Sequence, residues 1–196
     1  MKTFYLVLCM LLTSTIALTS EAGNIALGKT VTAVGVYGTS EGTWTYYPPA
    51  LASSLTDGVF VPEQQQWNKD SLWWNGHKNP ANEIYIDLGG LFRIDNFVVQ
   101  ADNNDVYRID YKTNSGDWLT AHTVNSVASW GLVTRDIDLD SSIWGNALRF
   151  VAISGDAFHA VTEIQAFGVV DVPEPSPTAL ILAGLLAVGL ARRYAN

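Results

Sequence analysis

The chain has 196 residues and a formal net charge of −8, from 19 acidic and 11 basic side chains. That balance excludes a nucleic-acid partner, whose phosphates demand a basic face, and it disfavours docking on anionic lipid. The single cysteine, Cys9, lies in an N-terminal apolar segment, so the rest of the chain holds neither a disulfide nor a cysteine metal site.

Residues 1–22 read as a signal peptide. Lys2 precedes an apolar run from Phe4 to about Leu18, and the small-x-small stretch Ser20-Glu21-Ala22 predicts cleavage after Ala22. Residues 23–170 are the length of one domain. From Tyr37 to about Lys78 no periodicity holds. Long irregular connections in compact domains are usually functional or mobile, and this one carries Trp44, Trp67, Trp73 and Trp74.

Period-2 alternation dominates the remainder. "EIYIDLG" places Ile84, Ile86 and Leu88 on one face. "FRIDNFVVQ" is a further strand. "VYRIDYK" sets Tyr107, Ile109 and Tyr111 against Arg108, Asp110 and Lys112. "RDIDLD" buries Ile137 and Leu139 and exposes Asp136, Asp138 and Asp140. "ALRFVAIS" and "TEIQAFGVV" close the series. "LGG", "ADNND", "NSGDW" and "SGDAF" are the turn signals between them. No segment of the domain reads as a helix of ten or more residues. The pattern predicts an all-β sandwich or barrel.

Three groups of residues are candidates for ligand binding. Trp73, Trp74, Asn75 and His77 combine an aromatic platform with polar groups, as sugar recognition requires. Adjacent residues on a strand point to opposite faces, so one of the two tryptophans should point inward and the other outward. Asn103, Asn104 and Asp105 form a loop, with Arg108 on the exposed face of the next strand; a plain hairpin turn accounts for the same Asn and Asp residues. His159 immediately precedes the last strand. There is no His-Glu-x-x-His and no phosphate loop. The alternating Asp136, Asp138 and Asp140 suit a solvated strand face better than a catalytic carboxylate pair.

Residues 171–196 depart from the domain's composition. Pro173, Pro175 and Pro177 interrupt regular structure, and Ala179 to Ala191 is apolar. As a helix that run spans roughly 20 Å, short of the hydrocarbon core of about 30 Å. Arg192 and Arg193 would hold its end on the cytoplasmic side.

Several landmarks, in order, resemble the discoidin domain. They are "NIALGKTVTA", "LTDG", "LWWNG", "IYIDLGGLFRIDNFVVQ" and "LRFVAIS…AVTEIQAFG", spanning Asn24 to Gly168. The resemblance implies a galactose-binding-like jelly-roll β-sandwich of the cysteine-free bacterial kind. It also implies a structural Ca²⁺ held by Asp57 and Glu163, with backbone carbonyls between about Leu55 and Trp67 completing the shell. The alternative is an Asx turn at Asp57 and a solvent-facing Glu163. The tail, with Val172, Pro173, Glu174, Pro175, Arg192 and Arg193, resembles the PEP-CTERM sorting signal of Gram-negative bacteria that make extracellular polysaccharide. That resemblance implies a transient inner-membrane anchor processed by an exosortase-type enzyme, and a final place at the cell surface or extracellular matrix. The expected function is a non-catalytic module binding carbohydrate, either exopolysaccharide or cell-surface glycan. The alternatives are a structural or adhesion protein that recognises another protein, and a hydrolase with an unrecognised site.

Overall fold

A computed structural model describes residues 22–39 and 45–170, with isolated positions 181, 184, 185 and 191 in the tail. The signal segment, Trp44 and the sorting residues Val172, Pro173, Glu174, Pro175, Arg192 and Arg193 lie outside the described residues. Among the described residues no helix is long and apolar enough to cross a membrane. Residues 21–171 group as one compact unit.

The elements run β1 (Gly23–Asn24), β2 (Thr30–Val34), a 3-10 turn (Ala52–Thr56), β3 (Leu72–Asn75), β4 (Glu83–Asp102), β5 (Val106–Lys112), β6 (Trp118–Val124), β7 (Leu132–Ser154) and β8 (Phe158–Val170). All pairings are antiparallel. Two strands are long enough to belong to both layers. Residues 84–87 of β4 pair with β2 and with residues 147–150 of β7, whereas residues 92–102 pair with β8 and with residues 132–145 of β7. The first layer is therefore β2, β4, β7, β5 and β6. The second is β7, β4 and β8, with β1 and β3 added to β8.

Sequence alternation explains the packing. Ile84, Ile86, Ile109 and Phe150 face inward from the first layer, and Ile94, Phe97, Val99 and Ile164 face them from the second. Each contributes on the order of 1.5–3 kcal/mol by leaving water. One turn signal requires correction. "LGG" does not end a strand; it is a corner inside β4, where Gly89 takes φ +75° so that the chain can bend into the other layer.

The corner leaves the connections after β3, β4, β6 and β7 together at the opposite end. Hydrogen bonds tie them to one another: Gly76 N–H donates to the Ala157 carbonyl at 2.7 Å, Asn103 N–H to Gly131 at 3.0 Å, and the Asn104 amide to Asp156 at 2.9 Å.

Candidate functional site

A cavity of about 220 Å³ opens at that loop end, and Trp74, His77, Asn82, Ser154, Ala157 and His159 help to line it. The strand register builds its floor. Trp74 and His159 are direct partners across β3 and β8, and their ring centroids stand 5.3 Å apart. Tyr37 meets the same indole edge-on at 5.5 Å.

Behind His159 stands a buried polar group. Asp105 is fully buried, and its Oδ2 lies 3.0 Å from His159 Nδ1, off the line of a straight hydrogen bond. The Tyr107 hydroxyl lies 3.0 Å from both Asp105 Oδ2 and the Ala160 carbonyl, and accepts from Ala160 N–H at 3.1 Å. Burial, reinforced by the Asp105 charge, pushes the Tyr107 hydroxyl well above its ordinary range, so it stays a neutral donor. Asp105 Oδ1 has no partner. The carboxylate thus stands behind the imidazole, 3.0 Å away, without a hydrogen bond to it. His159 Nε2 is left near Gly76, where an added Cβ would stand 2.7 Å from it. Trp74 is only 2% exposed and packs in the core, so it backs the imidazole rather than offering a free face. The edge of His159 is the group that a hydroxyl-bearing ring would meet at the cavity.

The rim is held in place. Ala157 takes φ +74°, a conformation that costs a non-glycine residue on the order of 1–3 kcal/mol. The bond from Gly76 holds its carbonyl, Phe158 N–H donates to Asp156 Oδ1 at 2.9 Å, and Asn104 holds the other Asp156 oxygen. Such over-determined strain is typical of ligand-holding loops.

The structure brings some of the candidate residues together and separates others. Trp74, His77 and His159 line the cavity, Asp105 stands behind it, and exposed Asn104 braces its rim. Asn75 is buried, and its Oδ1 accepts from His77 N–H at 3.0 Å, which shapes the loop. Asn103 spends its amide on the Ser129 carbonyl at 2.7 Å. Two of the candidate residues lie away from the cavity. Trp73 is fully buried. It faces away from Trp74, and there Trp67 meets it edge-on at 5.5 Å and its Nε1–H donates to the Tyr47 carbonyl at 3.0 Å, because the irregular connection covers that side of β3. Arg108 does not join the Asn103 loop. It lies on the outer face of the first layer, with its guanidinium forked onto Asp110 at 2.8 and 3.0 Å.

Sequence reasoning missed three features. Asn82 lines the cavity and binds the backbone on both sides of Val36. Asp156 organises the rim. Trp130 stands 55% exposed between Ser129 and Gly131, both bonded to Asn103. The signal for Trp130 was available: a tryptophan in "NSVASWGL" has no alternating neighbours to bury it.

The calcium candidates lie elsewhere. Glu163 is fully buried; its Oε1 accepts from Gly58 N–H at 3.0 Å and from the Gln165 amide at 3.1 Å, whereas Oε2 has no partner. Burial, with a contribution from the Asp57 charge, raises the Glu163 carboxyl to about 7. Glu163 is therefore not solvent-facing. The Asx turn is present too, with Val59 N–H donating to Asp57 Oδ1 at 2.8 Å. An unpartnered buried carboxylate oxygen beside a second carboxylate fits a divalent cation. No three His, Cys, Asp or Glu side chains converge among the described residues. Carbonyl oxygens would have to supply most of the shell.

No family model and no curated protein matches the chain. Solved structures do. The family 32 carbohydrate-binding module of NanJ from C. perfringens, solved with galactose, is 18% identical over 75% of this chain and 98% of its own, with a TM-score of 0.52. SpGH29 matches 75% of this chain over 28% of its own length, at 16% identity and a TM-score of 0.51. A chitosan-binding module from a chitosanase/glucanase of Paenibacillus sp. IK-5 is 21% identical over 74% of this chain and 99% of its own, with a TM-score of 0.49. The architecture and the first of these likenesses agree: the chain carries the galactose-binding-like jelly-roll β-sandwich.

Proposed function

We propose that this protein is an exported, non-catalytic carbohydrate-binding module whose sugar site is the cavity floored by Trp74 and His159. The observation that carries the reading is the Asp105-backed imidazole set beside an indole in a cavity of about 220 Å³. That volume falls below the roughly 300–1,000 Å³ of drug-sized pockets and suits one terminal sugar ring. The galactose complex of the NanJ module supports the choice of ligand class. The test is titration calorimetry of the full chain against galactose-terminated glycans and exopolysaccharide. His159→Ala should weaken binding by a factor of roughly 10–100, since it removes the ring edge that would hydrogen-bond the sugar. Saturable binding that is indifferent to His159→Ala would remove the site. No glycan binding by the folded chain would favour recognition of another protein instead.

Calcium belongs to the same proposal. Asp57 and Glu163 would hold the ion, and its charge would neutralise the buried carboxylate and tie the 3-10 turn to β8. Chelation with EDTA should lower the melting temperature. At a free calcium about 100 times the dissociation constant, the loss is about 2.7 kcal/mol, or roughly 5–10 °C for a domain of this size. Glu163→Gln should abolish the response, and an equal EDTA effect in that variant would refute the site.

Export and sorting complete the reading. The signal segment and the Val172-Pro173-Glu174-Pro175 tail would direct the chain through the inner membrane to an exosortase-type enzyme, with the product left at the cell surface or in the matrix. Mass spectrometry of the mature protein should find a C-terminus near Pro-Glu-Pro. A mature chain still ending at Asn196 would overturn this part.

A further inference from the structure

A second depression, of about 580 Å³, lies at the far end of the first layer, where Asp87, Gly89, Gly90, Lys112, Asn114 and Asn146 surround Ala147. Its geometry follows from the register. Asp87, Ala147, Lys112 and Trp118 are successive partners across β4, β7, β5 and β6. The next row on the same face is Tyr85, Arg149, Asp110 and Thr120. Ala147 is the small residue in its row, so the face is hollow there. The bare corner at Gly89 and Gly90 extends the hollow beyond the strand end.

Charge singles this hollow out. In the second row, Arg108 and Arg149 both bind Asp110, at 2.8 and 2.7 Å, and Arg149 also reaches Glu83 at 3.5 Å. Those cations are spent. Lys112 is not: among the described residues it meets no carboxylate. Lys29 stands beside the Gly89 corner and, among the described residues, forms no ion pair; its Nζ stands 5.5 Å from the Phe92 ring centroid and 3.7 Å from where a Cβ on Gly89 would lie. Asp87 is the one carboxylate on the lining, and its Oδ1 accepts from Gly89 N–H at 2.9 Å. Against it stand two ammonium groups, Lys112 on the lining and Lys29 beside Gly89, and that local excess of positive charge in a chain of net charge −8 favours an anion. The neutral amides of Asn114 and Asn146 suit hydroxyls. Trp118, half-buried beside Lys112, adds an aromatic edge; it meets Tyr85 at 5.7 Å and carries the Arg149 guanidinium at 5.1 Å. An open, polar, cation-flanked hollow with aromatics fits a carboxylated sugar better than a bare ion.

We propose that this hollow is a second glycan site, selective for a uronate residue of an acidic polysaccharide, with Lys112 and Lys29 receiving the carboxylate. It extends the glycan reading but does not depend on the loop cavity. The two sites lie at opposite ends of one β7 segment, Ala147 at one and Ser154 at the other. Seven residues of strand separate them by about 20 Å, the length of several sugar rings.

The test is titration calorimetry of the full chain with a mannuronate trisaccharide and with its methyl ester, which keeps the shape and loses the charge. The acid should bind more tightly than the ester by a factor of about ten or more. Lys112→Glu should abolish the difference and Lys112→Arg should retain it, with thermal melts confirming that both variants fold. Affinity for the acid should fall between about 20 mM and about 150 mM salt. Equal binding of acid and ester, or unchanged binding by Lys112→Glu, would overturn the proposal. So would competition by inorganic phosphate as strong as that of the trisaccharide, which would leave a simple anion site. Loss of the acid's binding in His159→Ala, with retention in Lys112→Glu, would place the sugar in the loop cavity and also overturn it. Failure of every neutral glycan at the loop cavity would leave the Lys112 result standing.

Discussion

Asp102→Asn is expected to stabilise the protein by about 2–4 kcal/mol near pH 8 and to have little effect near pH 4. Asp102 closes β4 and is 3% exposed. Burial, reinforced by the charges of Asp105 and Asp156, raises its carboxyl from 3.8 to about 7. The Asn103 N–H bond at 2.8 Å offsets only part of this. Arg135 would be the natural counterion. Its Nη1 and Nη2 donate to the carbonyls of Ala101, Val133 and Asp102, at 2.7, 3.1 and 2.6 Å, its Nε has no partner, and no donor reaches the Asp102 carboxylate. The folded state therefore holds a proton on Asp102 that the unfolded chain releases. Its contribution to stability is complete below about pH 4 and is lost as the pH rises through about 7. A shift of about three units sets a ceiling near 4 kcal/mol, since each unit is worth about 1.4 kcal/mol. Asparagine keeps the acceptor for Asn103 and removes the charge. Thermal melts of parent and variant across pH 4–8, with calcium fixed, would show curves that meet near pH 4, diverge as the pH rises to about 7 and keep their separation above it. Parallel curves would show that Asp102 ionises freely in the folded state.

How much of this was legible depended on the distance over which each feature is determined. Alternation is local, so the inward faces of "EIYIDLG" and "VYRIDYK" could be read directly, and Ile84, Ile86, Tyr107 and Ile109 are buried as their spacing demands. The corner at Gly89 could not be read, because a glycine that ends a strand and one that bends it look alike without the partner strand. Trp73 shows the same limit. Its direction followed from β3, but its covering by Tyr47 and Trp67 depends on a connection without periodicity. The site divides in the same way. His159 and Trp74 were both visible as chemistry, and they lie 85 residues apart in sequence; only the pairing of β3 with β8 makes them neighbours. Asp105 was legible as a turn residue, not as the buried carboxylate behind an imidazole, since nothing local announces burial of a charge.

The second large effect should fall on function with little change in stability. Gly76→Ala is expected to lower glycan affinity by a factor of roughly 100 while the melting temperature falls by only a few degrees. Gly76 has an ordinary backbone conformation, so alanine brings no strain in φ. Its N–H bond to Ala157 survives the change. The new methyl would stand 2.7 Å from His159 Nε2 and 2.9 Å from Cδ2, closer than carbon and nitrogen can pack. Something must move, and the imidazole is the movable partner, because the other near atom is the Ala157 carbonyl at 3.4 Å. Swinging the ring changes its 3.0 Å contact with Asp105 and its 5.3 Å approach to Trp74. A displacement of about 1 Å at a positioning group can cost two orders of magnitude, whereas one overpacked contact at a cavity edge costs about 1 kcal/mol. Binding and melting measured on the same preparation separate the two effects. An affinity equal to that of the parent would mean that His159 is not a ligand-contacting group. A large fall in melting temperature would mean that the imidazole is structural cement between β3 and β8. Only the combination of lost binding and retained stability identifies the cavity as built for a ligand.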